Sequence, residues 1–366
     1  MALSPEVLAE AATAFAAPGT LAVVEPFPSG HIHDSYIATF RHDRGATRYL
    51  LQNLNTAVFP DPATVMQNIE RVTTHLARVL AGEPDAERRA LALIPTRDGA
   101  TWRKDAGARV WRMYRFIEGA LTRVTARNAA DAASAGAAFG RFQRQVADLP
   151  GPRLRETIPD FHHTPTRFLA LEAAVAADRA GRAAGVPDEL ATIRRERHLA
   201  AALLDACSRG ELPERIAHND AKLDNVLIHA ETGDALCVVD LDTVMPGLGL
   251  YDFGDLVRSI GSAAAEDEQD LSLVRLEPHL IEAVARGYLR EMREMLTFAE
   301  RALMVTSARV IVFEQAVRFL TDHLDGDRYY RVSRPDHNLD RARTQLKLLD
   351  ELDRAATGLE RSLGRL

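Results

Sequence analysis

Short apolar runs with frequent turn residues dominate the first third of the chain. Residues 20–27 (TLAVVEPF), 35–40 (SYIATF) and 47–52 (TRYLLQ) are rich in β-branched and aromatic side chains. With Pro28-Ser29-Gly30 and Asp43-Arg44-Gly45 as turns between them, they predict strands. The period then changes. Asp61 offers a cap, Pro62 suits a first helical position, and Val65, Ile69, Val72, Leu76 and Val79 recur at helical spacing, predicting a helix with one apolar face. Strands are predicted again over 91–96, 100–104 and 108–117, separated by turns at Asp98-Gly99 and Asp105-Ala106-Gly107. Beyond Glu118-Gly119 the pattern is mainly helical: an Ala-rich helix over 127–147, a Pro-rich loop over 148–165, one or two helices over 166–209, and helices again after 251. A loop, a hairpin and a turn fill 213–251. The fold class is α/β (α+β) and bilobal. A small β-rich lobe with one helix spans 1–117 and a larger helical lobe 118–366, with a hinge near 113–119 and a cleft between lobes as the expected ligand site.

Composition narrows the class. The 366 residues are 46% apolar and 27% charged, which fits a globular chain and excludes disordered or fibrous ones. No apolar run reaches the ~18 residues of a membrane helix, and Glu6 and Glu10 stand where a secretion signal carries Lys or Arg. The net charge of −7 argues against nucleic acid as a partner. Two cysteines, Cys207 and Cys237, make neither a disulfide framework nor a zinc site. The expectation is a soluble, cytoplasmic protein. Lysine is scarce: only Lys104, Lys222 and Lys347 occur beside 42 arginines, so each lysine is a candidate for a specific task.

The chemistry concentrates in residues 216–240, IAHNDAKLDNVLIHAETGDALCVVD. Val226-Leu227-Ile228 and Leu236-Cys237-Val238-Val239 read as the two strands of a hairpin turning at Glu231-Thr232-Gly233-Asp234. Asn225 precedes the outgoing strand and Asp240 follows the returning one, so antiparallel pairing sets them side by side. Asp220 lies in a loop too short to leave that end. An amide oxygen and a carboxylate at one point suit Mg²⁺. The other carboxylate can accept a proton from a hydroxyl, and Lys222 between them is a compact cation for a phosphate. These are the parts that phosphoryl transfer requires.

His218-Asn219-Asp220-Ala221-Lys222-Leu223-Asp224-Asn225 resembles the catalytic loop of kinases, spaced H-x-D-x-K-x-x-N. The hairpin ending Val239-Asp240-Leu241-Asp242 is similar to that of the aminoglycoside phosphotransferase and choline kinase group, and the bilobal plan agrees with a protein-kinase-like fold. The resemblance implies Asp220 and Lys222 as catalytic residues, Asn225 and Asp240 as Mg²⁺ ligands, and ATP as cosubstrate. Asp242 stays open between a second metal ligand and a support. Asp252-Phe253-Gly254 spells a kinase metal motif but lies past the Pro246-Gly247 turn. It reads as a brace for the catalytic loop, or as part of the turn into a helix starting near Asp255.

The small lobe departs from the kinase pattern twice. The loop 28–35 has a single glycine where phosphate-covering loops have several, leaving Ser29, Gly30 and backbone amides as phosphate contacts. Gln52 stands where the strand's phosphate-pairing lysine is expected, so Gln52, Arg48 or Lys222 must supply those contacts, and Glu70 lacks its lysine partner. At the hinge, Met113-Tyr114-Arg115-Phe116-Ile117-Glu118-Gly119 resembles the adenine-binding linker, which implies backbone contacts from Arg115 and Ile117.

Gly30-His31-Ile32-His33-Asp34, Leu51-Gln52-Asn53-Leu54-Asn55 and Val58-Phe59-Pro60-Asp61-Pro62 look like the N-acetylhexosamine 1-kinases. So do Asp240-Leu241-Asp242-Thr243-Val244-Met245-Pro246-Gly247, Arg318-Phe319-Leu320-Thr321-Asp322, Gly326-Asp327-Arg328-Tyr329 and His337-Asn338-Leu339-Asp340-Arg341. That family also carries Gln for the usual Lys. The likeness implies ATP-dependent phosphorylation of the anomeric hydroxyl of N-acetylglucosamine or N-acetylgalactosamine, with His31, Arg318 and Tyr329 lining the sugar pocket. The rival expectations are a sibling kinase for an amino alcohol or aminoglycoside, and a nucleotide-binding pseudokinase without turnover.

Overall fold

The computed structural model describes residues 3–27 and 32–366. Its first part is built on a five-stranded antiparallel sheet of order β1-β2-β3-β5-β4. Helix α1 (Pro5–Thr13) precedes β1 (Thr20–Pro26), β2 (Asp34–His42) and β3 (Gly45–Leu54). Next come α2 (Pro62–Val79), the single-turn α3 (Ala86–Arg89), β4 (Arg103–Lys104) and β5 (Val110–Arg115). Alternation along the strands separates two cores. Tyr49, Leu51, Trp111 and Met113 pack with Leu8, Ala12 and Phe15 of the α1 segment. The other face sends Leu54, Val110 and Tyr114 into the large core shared with α2 and the helical part.

Helix α2 forms as the sequence predicts. Asp61 accepts the Thr64 amide at 3.1 Å as cap, and Val65, Ile69, Val72 and Leu76 are all buried. Each such burial stabilises by about 1.5–3 kcal/mol. Two predicted strands are largely absent. Residues 91–96 contribute only isolated bridges, Leu93 to Tyr114 and Thr96 to Phe15, and the 100–104 strand shrinks to Arg103–Lys104. Ala92 and Ile94 each make one backbone bond to β5, but Pro95 has no amide to continue the ladder.

The remainder is helical around two small sheets. Strand β6 (Ala120–Leu121) leads to α4 (Ala129–Val146), α5 (Thr164–Ala177), α6 (Pro187–Arg195) and α7 (Ala202–Ser208). Strands β7 (Arg215–Ala217), β8 (Val226–His229), β9 (Ala235–Val238) and β10 (Met245–Gly247) follow. They pair as β6-β8-β9 and β10-β7. Helices α8 (Gly249–Ile260), α9 (Pro278–Met292), α10 (Phe298–Ala302), α11 (Met304–Asp325) and α12 (His337–Leu363) complete the chain. Helices α4 and α9 cross closely because Gly136 and Gly287 lack a Cβ; one on Gly287 would strike the Ala133 carbonyl. Helix α8 begins at Gly249 rather than near Asp255, since β10 ends at Gly247 and the chain turns into the helix directly. Among the described residues no helix is long and apolar enough to cross a membrane.

Candidate active site

The loop 218–225 is fixed by a set of buried hydrogen bonds. His218 is fully buried between Phe139 and Phe142. Its Nδ1 accepts the Asp220 amide, so Nε2 carries the proton and donates to the Val239 carbonyl at 2.9 Å. Asn219 has a positive φ of 65°, which Asn tolerates better than most residues. Its side-chain amide donates to the Ala217 and Thr243 carbonyls, joining the loop to the β10 approach. Asp252, fully buried in the first turn of α8, accepts the amides of His218 and Asn219 at 2.9 and 2.8 Å. Burial pushes its carboxyl above the usual range. Asp252 thus makes the contacts of a brace.

The hairpin brings Asp220, Lys222, Asn225 and Asp240 to one end. Val226 pairs with Val238, and the Val239 amide donates to the Asn225 carbonyl, setting Asp240 beside Asn225. Asn225 Nδ2 donates to Asp220 Oδ2 at 2.9 Å and to its carbonyl at 2.8 Å, which directs the Asn225 amide oxygen elsewhere. Lys222 Nζ lies 3.3 Å from Asp220 Oδ2 and 3.9 Å from Asp224. Burial works against the charge on Asp220, yet Lys222 and the hydrogen bond from Asn225 hold it below the usual carboxylate value. Asp220 in turn raises Lys222.

Asp240 differs. It sits in the left-handed region with φ 60°, and burial together with Asp242 and Asp220 pushes its carboxyl up to about 6. A carboxylate so crowded by negative charge is one that a cation would relieve. His33, Asp240 and Asp242 each place a ligand atom within 4.8 Å of the others. Two of the three are already committed. Asp242 receives Arg112 Nη1 and Nη2, both at 2.7 Å, and His33 Nε2 at 3.2 Å. His33 Nδ1 accepts the Asn55 amide. With the Asn225 amide oxygen, the Asp240 carboxylate, which has no hydrogen-bond partner among the described residues, makes a hard-oxygen pair that fits Mg²⁺.

Arg112 is a site residue the sequence reading passed over. It projects from β5 on the face of Val110 and Tyr114, in register with Gln52 of β3. Gln52 accepts Arg112 Nε at 2.9 Å and donates to Ser35 Oγ at 3.0 Å. The amide of Gln52 is thus engaged on both sides and is linked through Arg112 to Asp242. Arg48 is elsewhere, paired with Glu118 and stacked on Phe116, and Glu70 is exposed.

On the other side, Arg318 of α11 lies 4.9 Å from the Phe161 ring, 5.8 Å from Tyr330 and 6.0 Å from Tyr329. It is close enough to Asp220 for their charges to interact. Asp322 accepts the backbone amides of Arg328, Tyr329 and Tyr330 instead of pairing with Arg318, and so shapes the loop that carries Tyr329. Beneath them His162 links Glu314 Oε1 at 2.8 Å to the Asn219 carbonyl at 2.9 Å. At the hinge, the Arg115 amide donates to the Ala92 carbonyl and Ile117 is buried. Ser29, Gly30 and His31 lie outside the described residues.

A family model described as the phosphotransferase enzyme family matches residues 23–298. Similar solved structures include a spectinomycin phosphotransferase in complex with ADP and spectinomycin, at 13% identity. It covers 96% of this chain and 99% of its own, with a TM-score of 0.61. An aminoglycoside phosphotransferase from Alicyclobacillus acidocaldarius subsp. acidocaldarius is 13% identical, covers 100% and 98%, and scores 0.63. A choline kinase from Cryptosporidium parvum Iowa II is 12% identical, covers 97% and 98%, and scores 0.56. At such identities the likeness is one of fold: mixed α/β, with a sheet in the first part and helices in the second.

Proposed function

Because the chain belongs to the phosphotransferase enzyme family, as a small-molecule phosphotransferase of the aminoglycoside phosphotransferase and choline kinase type, we propose that it transfers the terminal phosphate of ATP to the anomeric hydroxyl of an N-acetylhexosamine. The observation that carries the phosphoryl-transfer part is the convergence of Asp220, Lys222, Asn225 and Asp240 on one hairpin end. Asp220 orients the hydroxyl and takes its proton as the sugar oxygen bonds to phosphorus and the bridging P–O bond to ADP breaks. Its low basicity suits an orienting carboxylate that accepts the proton late. Lys222 neutralises charge on the transferred group. Asn225 and Asp240 would hold Mg²⁺, which when bound supplies charge neutralisation for the phosphates. In this reading Ser29 and Gly30 contact the phosphates, Gln52 acts through Arg112, and the Arg115 carbonyl and Ile117 amide meet the adenine edge. The boundary between lobes is placed at residue 117.

The choice of a sugar rests on the sequence marks shared with the N-acetylhexosamine 1-kinases and on the acceptor side itself. A buried guanidinium, Arg318, stands over aromatic rings with Arg167 nearby. Such a surface repels cationic amines and offers charged donors to ring hydroxyls and an acetamido oxygen. His31 and Tyr329 complete the proposed pocket. The test is acceptor-dependent ADP release with Mg-ATP over N-acetylhexosamines, plain hexoses, choline and an aminoglycoside. Turnover confined to N-acetylhexosamines supports the reading. Turnover confined to amines moves the protein to a sibling specificity, and nucleotide binding without turnover on any acceptor overturns the enzymatic assignment.

A further inference from the structure

Arg112 occupies a position where the strand pattern calls for an apolar residue. It is almost wholly buried, and its neighbours along the same face, Val110 and Tyr114, are core residues. A buried guanidinium needs partners for its donors. Among the described residues its hydrogen-bond acceptors are polar groups on the way to the hairpin end: Gln52 Oε1 receives Nε, and the two oxygens of Asp242 receive Nη1 and Nη2 in parallel. Gln52 is itself held by Ser35. His33, oriented by the Asn55 amide, adds a third donor to Asp242. Two side chains from the sheet half of the chain, Arg112 and His33, thereby meet on one carboxylate of the helical half, with Gln52 and Ser35 holding Arg112 from behind.

That carboxylate stands two residues beyond the left-handed Asp240, in the short helical turn Leu241–Thr243. Locking Asp242 in a bidentate fork fixes the turn's exit, and the His218 bond to the Val239 carbonyl fixes its entry. Asp240 is pinned from both sides while its own carboxylate has no hydrogen-bond partner among the described residues. The fork also neutralises Asp242, so it does not compete with Asp240 for a cation.

We propose that Arg112 is a positioning residue for the metal side of the site: held by Gln52, it clamps Asp242 and so presents the Asp240 carboxylate to Mg²⁺. It touches neither substrate. The proposal rests on reading Asp240 and Asn225 as the cation's ligands, and the experiment separates the two. ADP binding is measured by calorimetry with and without Mg²⁺ for wild type, D240N, R112Q, R112K, D242N and the R112Q/D242N double variant, alongside thermal melting of each. The expected result is that R112Q and D242N weaken the Mg²⁺-dependent part of ADP binding by about 10–100-fold. Their metal-free ADP binding and acceptor KM stay at the wild-type level. R112K, able to make one contact, falls between, and the R112Q/D242N double variant is no weaker than the worse single one. If D240N weakens Mg²⁺-dependent binding and folded R112Q does not, the positioning role is overturned while the ligand reading stands. If D240N leaves it intact, the ligand reading fails and this one with it. Equal loss of metal-free and metal-dependent binding, or failure of R112Q, R112K and D242N alike to fold, makes the cluster a folding element and overturns the proposal.

Discussion

Lys222 Nζ lies 3.3 Å from Asp220 Oδ2, in a loop whose backbone is fixed from three directions. The pair keeps Asp220 ionised and aims a compact cation at the place where a phosphoryl group would pass. Replacing Asp220 by Asn keeps the shape and the acceptor for Asn225 but removes the proposed proton acceptor. Turnover is expected to fall about 10²–10⁴-fold with the melting temperature little changed. Lys222→Met should lower kcat and raise the KM for ATP together, as steady-state ADP release will show.

Asp252 acts on the same loop without facing a substrate. Removing its carboxylate leaves the amides of His218 and Asn219 buried and unpaired, at about 1–3 kcal/mol each. Asp252→Ala is therefore expected to lose several kcal/mol in urea unfolding and to lose activity through a disordered Asp220. Asp252→Asn, with one acceptor oxygen left, should fall between.

His162 gives a pH dependence of stability. Its two nitrogens face two acceptors, the Glu314 carboxylate and the Asn219 carbonyl, so both bonds form only with the imidazolium. Burial opposes that charge, but Glu314 outweighs it and raises His162 above 6.5. For Glu314, burial is likewise outweighed by His162 and Arg318, and it lies below 4.5. Thr164 and Tyr251 are the other polar groups against the pair. Its contribution is full between pH 4.5 and 6.5. It fades as pH rises through the raised value of His162, or falls through the lowered value of Glu314. The Tm difference between wild type and His162→Asn should shrink as pH increases above neutrality; a difference independent of pH would contradict the imidazolium.

On the proposed reading Arg318 lines the acceptor pocket alone, so its replacement should separate acceptor binding from nucleotide binding. Loss of a charged hydrogen bond is worth about 1.5–3 kcal/mol, so Arg318→Met should raise the acceptor KM about 10–100-fold and leave the KM for ATP unchanged. Tyr329→Phe, altering a half-exposed ring, should have a smaller effect in the same direction.

Much of this was legible in the sequence because its determinants are local. The 226–238 hairpin follows from two apolar runs and a polar turn, and its register alone brings Asn225 and Asp240 together. The α2 helix follows from Asp61, Pro62 and the spacing of Val65, Ile69, Val72 and Leu76. What escaped depends on contacts between distant segments. Arg112 and Asp242, or His162 and Glu314, meet only through the tertiary fold. The usable trace of the first pair was a lone charge at an inward position of the strand around Val110 and Tyr114. Residues 91–96 read as a full strand because their apolar run is genuine. Pro95 limits its pairing, and the segment is held instead by single bonds to β5 and to the chain just after α1. Gln52 was seen as a substitution for a lysine, but its engagement with Arg112 could be seen only once β3 and β5 were in register.

The most direct test compares N-acetylglucosamine and N-acetylgalactosamine with their 1-deoxy analogues in an ADP-release assay with Mg-ATP, using wild type and Asp220→Asn. The account predicts turnover on at least one N-acetylhexosamine, none on its 1-deoxy analogue, and near-complete loss in the variant. Undiminished turnover on the 1-deoxy sugar, or full activity of Asp220→Asn, would contradict it.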